Sequence, residues 1–133
     1  MMTEKGKVSV LAVDDSKTML AMIAAQLKDS NFEVVATASS GLEALEKYQQ
    51  IKPQLVLLDI VMPGLDGFQL CERLRRVPGY EKTPVIFVTI HSDFESRAKS
   101  SLSGGDDLIA KPILPMELAA KVVMHLLKSQ TPR

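Results

Sequence analysis

The apolar positions of this chain fall into two alternating patterns. Five short runs rich in Val, Ile and Leu recur: "KVSVLAV" (Lys7 to Val13), "FEVVAT" (Phe32 to Thr37), "QLVLLD" (Gln54 to Asp59), "PVIFVT" (Pro84 to Thr89) and "DLIA" (Asp107 to Ala110). Most are continuous, which predicts strands covered on both faces. Between the runs the apolar residues return at helical spacing. Leu70, Cys71, Leu74 and Val77 share a stripe, and Asp66 with Gln69 three residues later predicts a capping box at its start. Ser40 and Glu43 repeat that signature before Leu45 and Tyr48, and Pro115 suits the first turn of a last helix carrying Leu118, Val122 and Leu126. Strand then helix, five times over, predicts an α/β fold: a doubly wound, mainly parallel five-stranded sheet with five helices on its two faces.

No repeat or low-complexity tract interrupts this order. A length of 133 residues, 46% of them hydrophobic, suffices for one domain with a real core. That domain is expected over 7–128, with 1–6 and 129–133 as flexible termini. Sixteen basic and sixteen acidic side chains cancel, which argues against direct nucleic-acid binding and against an anionic membrane surface. Any charge-based chemistry must therefore be local. The single cysteine, Cys71, excludes an internal disulfide and a cysteine zinc cluster. Apolar runs of strand length and an N-terminal "MMTEKGK" without an apolar core give no membrane span or secretory signal, so a cytoplasmic location is expected.

The chemistry collects at the carboxyl ends of the strands. The first ends at Asp14-Asp15, the third at Asp59 and the fourth at Thr89, and the fifth runs into Lys111; the second ends at Thr37-Ala38 without a charge. In open α/β sheets, sites form where strand order reverses, and the order 2-1-3-4-5 sets strands one and three side by side. Three aspartates then share one crevice. Two carboxylates 4 Å apart repel by roughly 4 kcal/mol at an effective dielectric near 20, so a positive partner is required. Oxygen-only ligands favour a hard cation, with magnesium the best fit. Lys111 adds a second cation and Thr89 a hydroxyl, which leaves Asp59 as a nucleophile able to receive a phosphoryl group.

The segments "VDDS", "LLDIVMPGLDG", "VIFVT" and "GGDDLIAKPI" occur in this order, and over nearly the whole chain the sequence resembles the receiver domain of two-component response regulators. The resemblance implies a flavodoxin-like three-layer sandwich. It also implies that Asp59 is the phosphoacceptor, that Asp15, Asp59 and the backbone carbonyl of Val61 ligate magnesium, and that Asp14 acts mainly through a metal-bound water. Lys111 would pair with the phosphate, followed by a cis Lys111-Pro112 bond, and Thr89 would carry the switch. The implied partners are a sensor histidine kinase or phosphotransfer protein and an unknown output domain or partner, with a possible dimer through the fourth helix, fifth strand and fifth helix. Such a chain is not an enzyme on other molecules; it catalyses only its own phosphorylation and dephosphorylation. It fits a stand-alone regulator or the receiver part of a longer regulator or hybrid kinase.

Two positions depart from the pattern. Receivers usually carry Tyr or Phe three residues before the lysine, where this chain has Leu108, so output is expected to run through movement of the fourth helix instead. Ile90 replaces a small residue after the switch threonine and is expected to crowd the phosphoryl site. Val61 and His91 occupy positions that tune receiver reaction rates.

Simpler readings apply to single residues. Asp14-Asp15 suits helix capping, Thr89 a strand, Lys111 a solvated surface and the "ESRAK" segment a solvated helix face. Cys71 is expected in the core and His125 as a packing residue at its edge. The glycines Gly41, Gly64, Gly67, Gly104 and Gly105 read first as turn and cap residues, with Gly64 and Gly67 also expected to shape the loop that offers the Val61 carbonyl. Two rival functions remain: a pseudo-receiver that binds partners without phosphorylation, and a phosphatase of the haloacid-dehalogenase type. The latter normally has a second Asp two residues after the nucleophile, where Val61 stands.

Overall fold

Each predicted apolar run forms a strand, and those at 8–13, 55–58 and 85–89 are continuous runs buried on both faces. The computed structural model describes residues 3, 6–79, 82–90 and 94–130, with side chains left aside at 94 and 126–130. The strands are β1 (Val8–Val13), β2 (Phe32–Ala38), β3 (Leu55–Leu58), β4 (Val85–Thr89) and β5 (Asp107–Ala110). All pair in parallel, in the order β2-β1-β3-β4-β5. The helices are α1 (Lys17–Leu27), α2 (Gly41–Ile51), α3 (Gly67–Arg75), α4 (Phe94–Leu102) and α5 (Pro115–Gln130). Among the described residues no helix is long and apolar enough to cross a membrane.

Alternation along the strands divides the core into two layers. Leu11, Val13, Val56, Leu58, Val85 and Phe87 face Ala44 and Tyr48 of α2 and Leu70, Cys71 and Leu74 of α3. Val10, Ala12, Leu55, Leu57, Ile86 and Val88 face Leu20, Ile23 and Leu27 of α1 and Leu118 and Val122 of α5. Because successive side chains on a strand point to opposite faces, the four consecutive apolar residues at Val10 to Val13, Leu55 to Leu58 and Val85 to Val88 supply both layers at once. Cys71 is fully buried, as expected, and burial pushes its thiol up to about 11. A thiol so placed is inert core filling.

The helix starts follow the capping signals, with one difference. Asp66 and Gln69 form the complete reciprocal box at α3. At α2, Ser40 accepts from the Glu43 amide, but the Glu43 carboxylate reaches one residue further back, to the Ser39 amide at 2.8 Å. Strand limits differ from expectation by a residue. Pro84 has no N–H to give, so β4 begins at Val85, whose amide is taken by Asp106 at 2.8 Å. Asp59 lies just past β3, yet its amide still donates to the Val13 carbonyl at 2.9 Å, which keeps it registered on the sheet.

Two polar ties close the edge of the sheet. Arg75, at the end of α3, donates to the carbonyls of Gly104 and Thr83 and pairs with Asp106 at 2.7 Å, joining α3 to the starts of β4 and β5. At the other tie, His125 is not simply an apolar packing residue. Its Nε2 lies 3.0 Å from Asp107, and Lys121 lies 3.5 Å from the same carboxylate. Burial alone would raise the Asp107 pKa, but the bonds from His125 and the Leu108 amide, with the Lys121 charge, hold it below the usual carboxylate value. Asp107 and Lys121 thus pair within the chain. His91 and the extreme termini lie outside the described residues, and the side chain of Leu126 does too.

Replacing Arg75 with Ala strips donors from three acceptors at once and leaves the Asp106 carboxylate without its cation. The expected loss is about 2 kcal/mol of unfolding free energy, measured by urea denaturation, with the Lys99→Ala change at an exposed ion pair costing less than about 0.5 kcal/mol.

Candidate functional site

The parallel order places the carboxyl ends of β1 and β3 side by side, with Val13 opposite Leu58. The next residues along, Asp14 and Asp59, are therefore neighbours by register. Asp14 is 2% exposed; its amide donates to the Ala38 carbonyl at 3.1 Å, and its Oδ1 accepts from the Ser16 amide at 3.0 Å. Ser16 is itself the N-cap of α1, so one turn both starts the helix and orients the carboxylate. Asp15 is exposed, and one carboxylate oxygen from each of Asp14, Asp15 and Asp59 falls within a mutual 4.8 Å.

Lys111 reaches into this cluster from the end of β5. Its Nζ lies 2.9 Å from Asp14 and 3.5 Å from Asp59, with only 11% of the side chain exposed. One ammonium thus faces two buried carboxylates and the third stays open to solvent. Asp59 is 8% exposed and its Oδ1 accepts from the Ile60 amide at 3.0 Å. Burial, reinforced by the Asp14 charge, outweighs the pull of Lys111 and the Ile60 amide, so the Asp59 pKa is raised above the ordinary value. The cluster is under-compensated, and its donors are oxygens only. That chemistry fits a hard divalent cation.

Thr89 closes β4 beside Ala110 and is 1% exposed; its carbonyl accepts from the Lys111 amide at 3.0 Å. The predicted switch and phosphate-pairing residues are thereby joined through the backbone. The Lys111-Pro112 bond is cis, as the resemblance implied. The Val61 side chain is 60% exposed on the loop after Asp59. Leu108 is buried in the α2/α3 layer. Ile90, expected to crowd the phosphoryl site, has a side chain that is 75% exposed.

Two residues escaped the sequence reading. Gly67 looked like a cap glycine, but a Cβ there would collide with the Asp59 carbonyl oxygen and come within 2.9 Å of the Ile60 Cα. Its amide donates to the Ile60 carbonyl at 3.0 Å, so the bare backbone of α3 is pressed against the residue carrying the site. The sequence pointed to Gly67 as a cap and as a shaper of the loop after Asp59, not to this contact with the Asp59 backbone. The other is Gln26 of α1, whose Oε1 accepts from the Ile113 amide at 3.1 Å and ties α1 to the segment after Lys111. A lone glutamine on a helix carries no signal of such a partner.

A doubly wound sheet that gathers three carboxylates and a lysine at its carboxyl edge defines a flavodoxin-like class of site-bearing α/β domain. Residues 10–123 match the family model described as the response regulator receiver domain, and the chain belongs to that family, the receiver module of two-component systems. It is 35% identical over 118 residues to the transcriptional regulatory protein YvrH of Bacillus subtilis, covering 89% of this chain and 48% of that protein. It is 32% identical over 117 residues to Protein PilG of Pseudomonas aeruginosa, covering 88% and 86%. The crystal structure of a putative response regulator from Chloroflexus aurantiacus superposes with a TM-score of 0.81 at 32% identity, covering 91% of this chain and 98% of that one. The chain spans about half the length of several of the curated regulators it matches.

The raised Asp59 pKa fixes the sign of a stability test. A carboxylate whose folded pKa is raised favours folding most when protonated, below its unfolded pKa, and that advantage is lost as pH rises through the folded value. Asp59→Asn keeps the shape without the charge. In chelator at neutral pH it is expected to melt at a higher temperature than the parent, with the gap closing as pH falls below the carboxylate range; an equal or lower melting temperature at neutral pH would contradict the electrostatics described here.

Proposed function

We propose that this chain takes a phosphoryl group from a histidine kinase or phosphotransfer protein onto Asp59 and, so modified, controls a partner or output domain. The observation that carries the reading is the placement of Asp59 at a rigid strand end, inside a carboxylate cluster and 3.5 Å from Lys111. Asp15, Asp59 and the Val61 carbonyl would hold magnesium directly, with Asp14 acting through a water on it. Bound there, magnesium supplies the positive charge that offsets the carboxylates and the phosphoryl oxygens.

In the transfer, a carboxylate oxygen of Asp59 bonds to phosphorus as the phosphorus–nitrogen bond of the donor histidine breaks, and the bonding pair leaves on the imidazole nitrogen. Lys111 then exchanges a carboxylate partner for a phosphoryl oxygen. Thr89, joined to Lys111 by a backbone bond, donates its hydroxyl to another oxygen. The added charge biases the loops after β4 and β5, and with Leu108 fixed in the core the signal passes through α4 rather than through a swinging ring. The chain acts only on its own aspartate.

Intact mass after incubation with acetyl phosphate tests this. With magnesium, one added phosphoryl group is expected; without magnesium, or in Asp59→Ala, none. Absence of the adduct, together with failure to bind beryllofluoride, would overturn the reading in favour of an unphosphorylated interaction module.

A further inference from the structure

α2 and α3 lie side by side, and between them runs an open groove of about 500 Å³ lined by Leu45, Gln49, Arg73, Arg76, Val77 and Pro78. Its floor is apolar, since Leu45 and Val77 are only partly buried against the core. Leu42 lies one turn before Leu45 on the same flank of α2 and is 72% exposed, which carries the apolar track beyond the groove. The wall is cationic. Arg73 and Arg76 are one turn apart at the end of α3, both are exposed, and among the described residues neither side chain has a carboxylate or carbonyl partner. Arg75 between them shows the contrast: its guanidinium is fully engaged with Gly104, Thr83 and Asp106.

We propose that the α2–α3 groove is a docking site for an acidic, leucine-bearing segment of a partner protein, with apolar side chains on Leu42, Leu45 and Val77 and carboxylates paired with Arg73 and Arg76. The charge of the wall selects the sign of the ligand, because guanidinium forks match carboxylates in geometry. The form of the groove selects a peptide over a small phosphate. Both arginines project from the carboxyl end of α3, where there are no free backbone amides of the kind that cradle phosphate at a helix start. An open trough with an apolar floor instead suits a segment that lays alternate apolar and acidic side chains along it.

The groove lies at the far end of α3 from Asp59. Gly67 starts the helix against the Asp59 carbonyl, while Arg75 ends it beside the first residues of β4 and β5. Docking there leaves the carboxylate cluster open to its own chemistry.

The test is an amide-shift titration of the full chain with a ten-residue peptide of alternating leucine and glutamate, against the same peptide with glutamine for glutamate, and against inorganic phosphate. Shifts centred on Leu45, Gln49, Arg76 and Val77 with the glutamate peptide, weakened about tenfold in Arg73→Ala/Arg76→Ala and by added salt, are expected. The double variant should still fold and still gain one phosphoryl group from acetyl phosphate. Four results would overturn the proposal: no shifts at millimolar peptide, equal binding of the glutamine peptide, the same shifts from phosphate alone, or groove shifts that depend on chain concentration and so report a second copy.

Discussion

Everything at the carboxyl edge of this sheet is arranged around one electrostatic deficit. Three carboxylates from two adjacent strand ends meet within 4.8 Å, and a single lysine from a third strand reaches two of them. In water such a cluster would disperse, but here the strands fix its members in place through the backbone: Asp59 on Val13 and Asp14 on Ala38. The apolar runs behind them resist relaxation because they are packed on both faces. The stability of the core is what holds the charges together, and the unbalanced negative charge is what suits the edge to a divalent cation.

The backbone does more of the positioning than the side-chain inventory suggests. Gly67 lets the start of α3 press on the Asp59 carbonyl, Ser16 both caps α1 and orients Asp14, and Gln26 holds the segment after Lys111 to α1. Thr89 and Lys111 share a backbone hydrogen bond, so a change at either is felt at the other. At the opposite end of the sheet, Arg75 performs the same service for α3, β4 and β5. α3 thus carries a brace at each end, Gly67 against the Asp59 backbone and Arg75 against Gly104 and Asp106.

Strand number, parallel direction and the meeting of Asp14, Asp15, Asp59, Thr89 and Lys111 at one edge were legible in the chain, because continuous apolar runs and the residues that follow them report strand ends directly. What was not legible depends on approach in three dimensions. Nothing in the spacing reveals that Gly67 faces the Asp59 backbone, that the ring of His125 also meets Asp107, or that Glu43 passes over Ser40 to reach Ser39. Periodicity assigns faces, whereas contacts across elements need coordinates.

If the charge deficit is the organising constraint, a divalent cation should stabilise the folded chain through this cluster alone. The direct measurement is melting temperature against magnesium concentration at constant ionic strength, for the parent chain and for Asp15→Asn, whose side chain is exposed and so carries little of the fold itself. The charge deficit predicts a saturable rise for the parent and a much smaller one for the variant. A flat curve for the parent, or an equal rise in both, would contradict it.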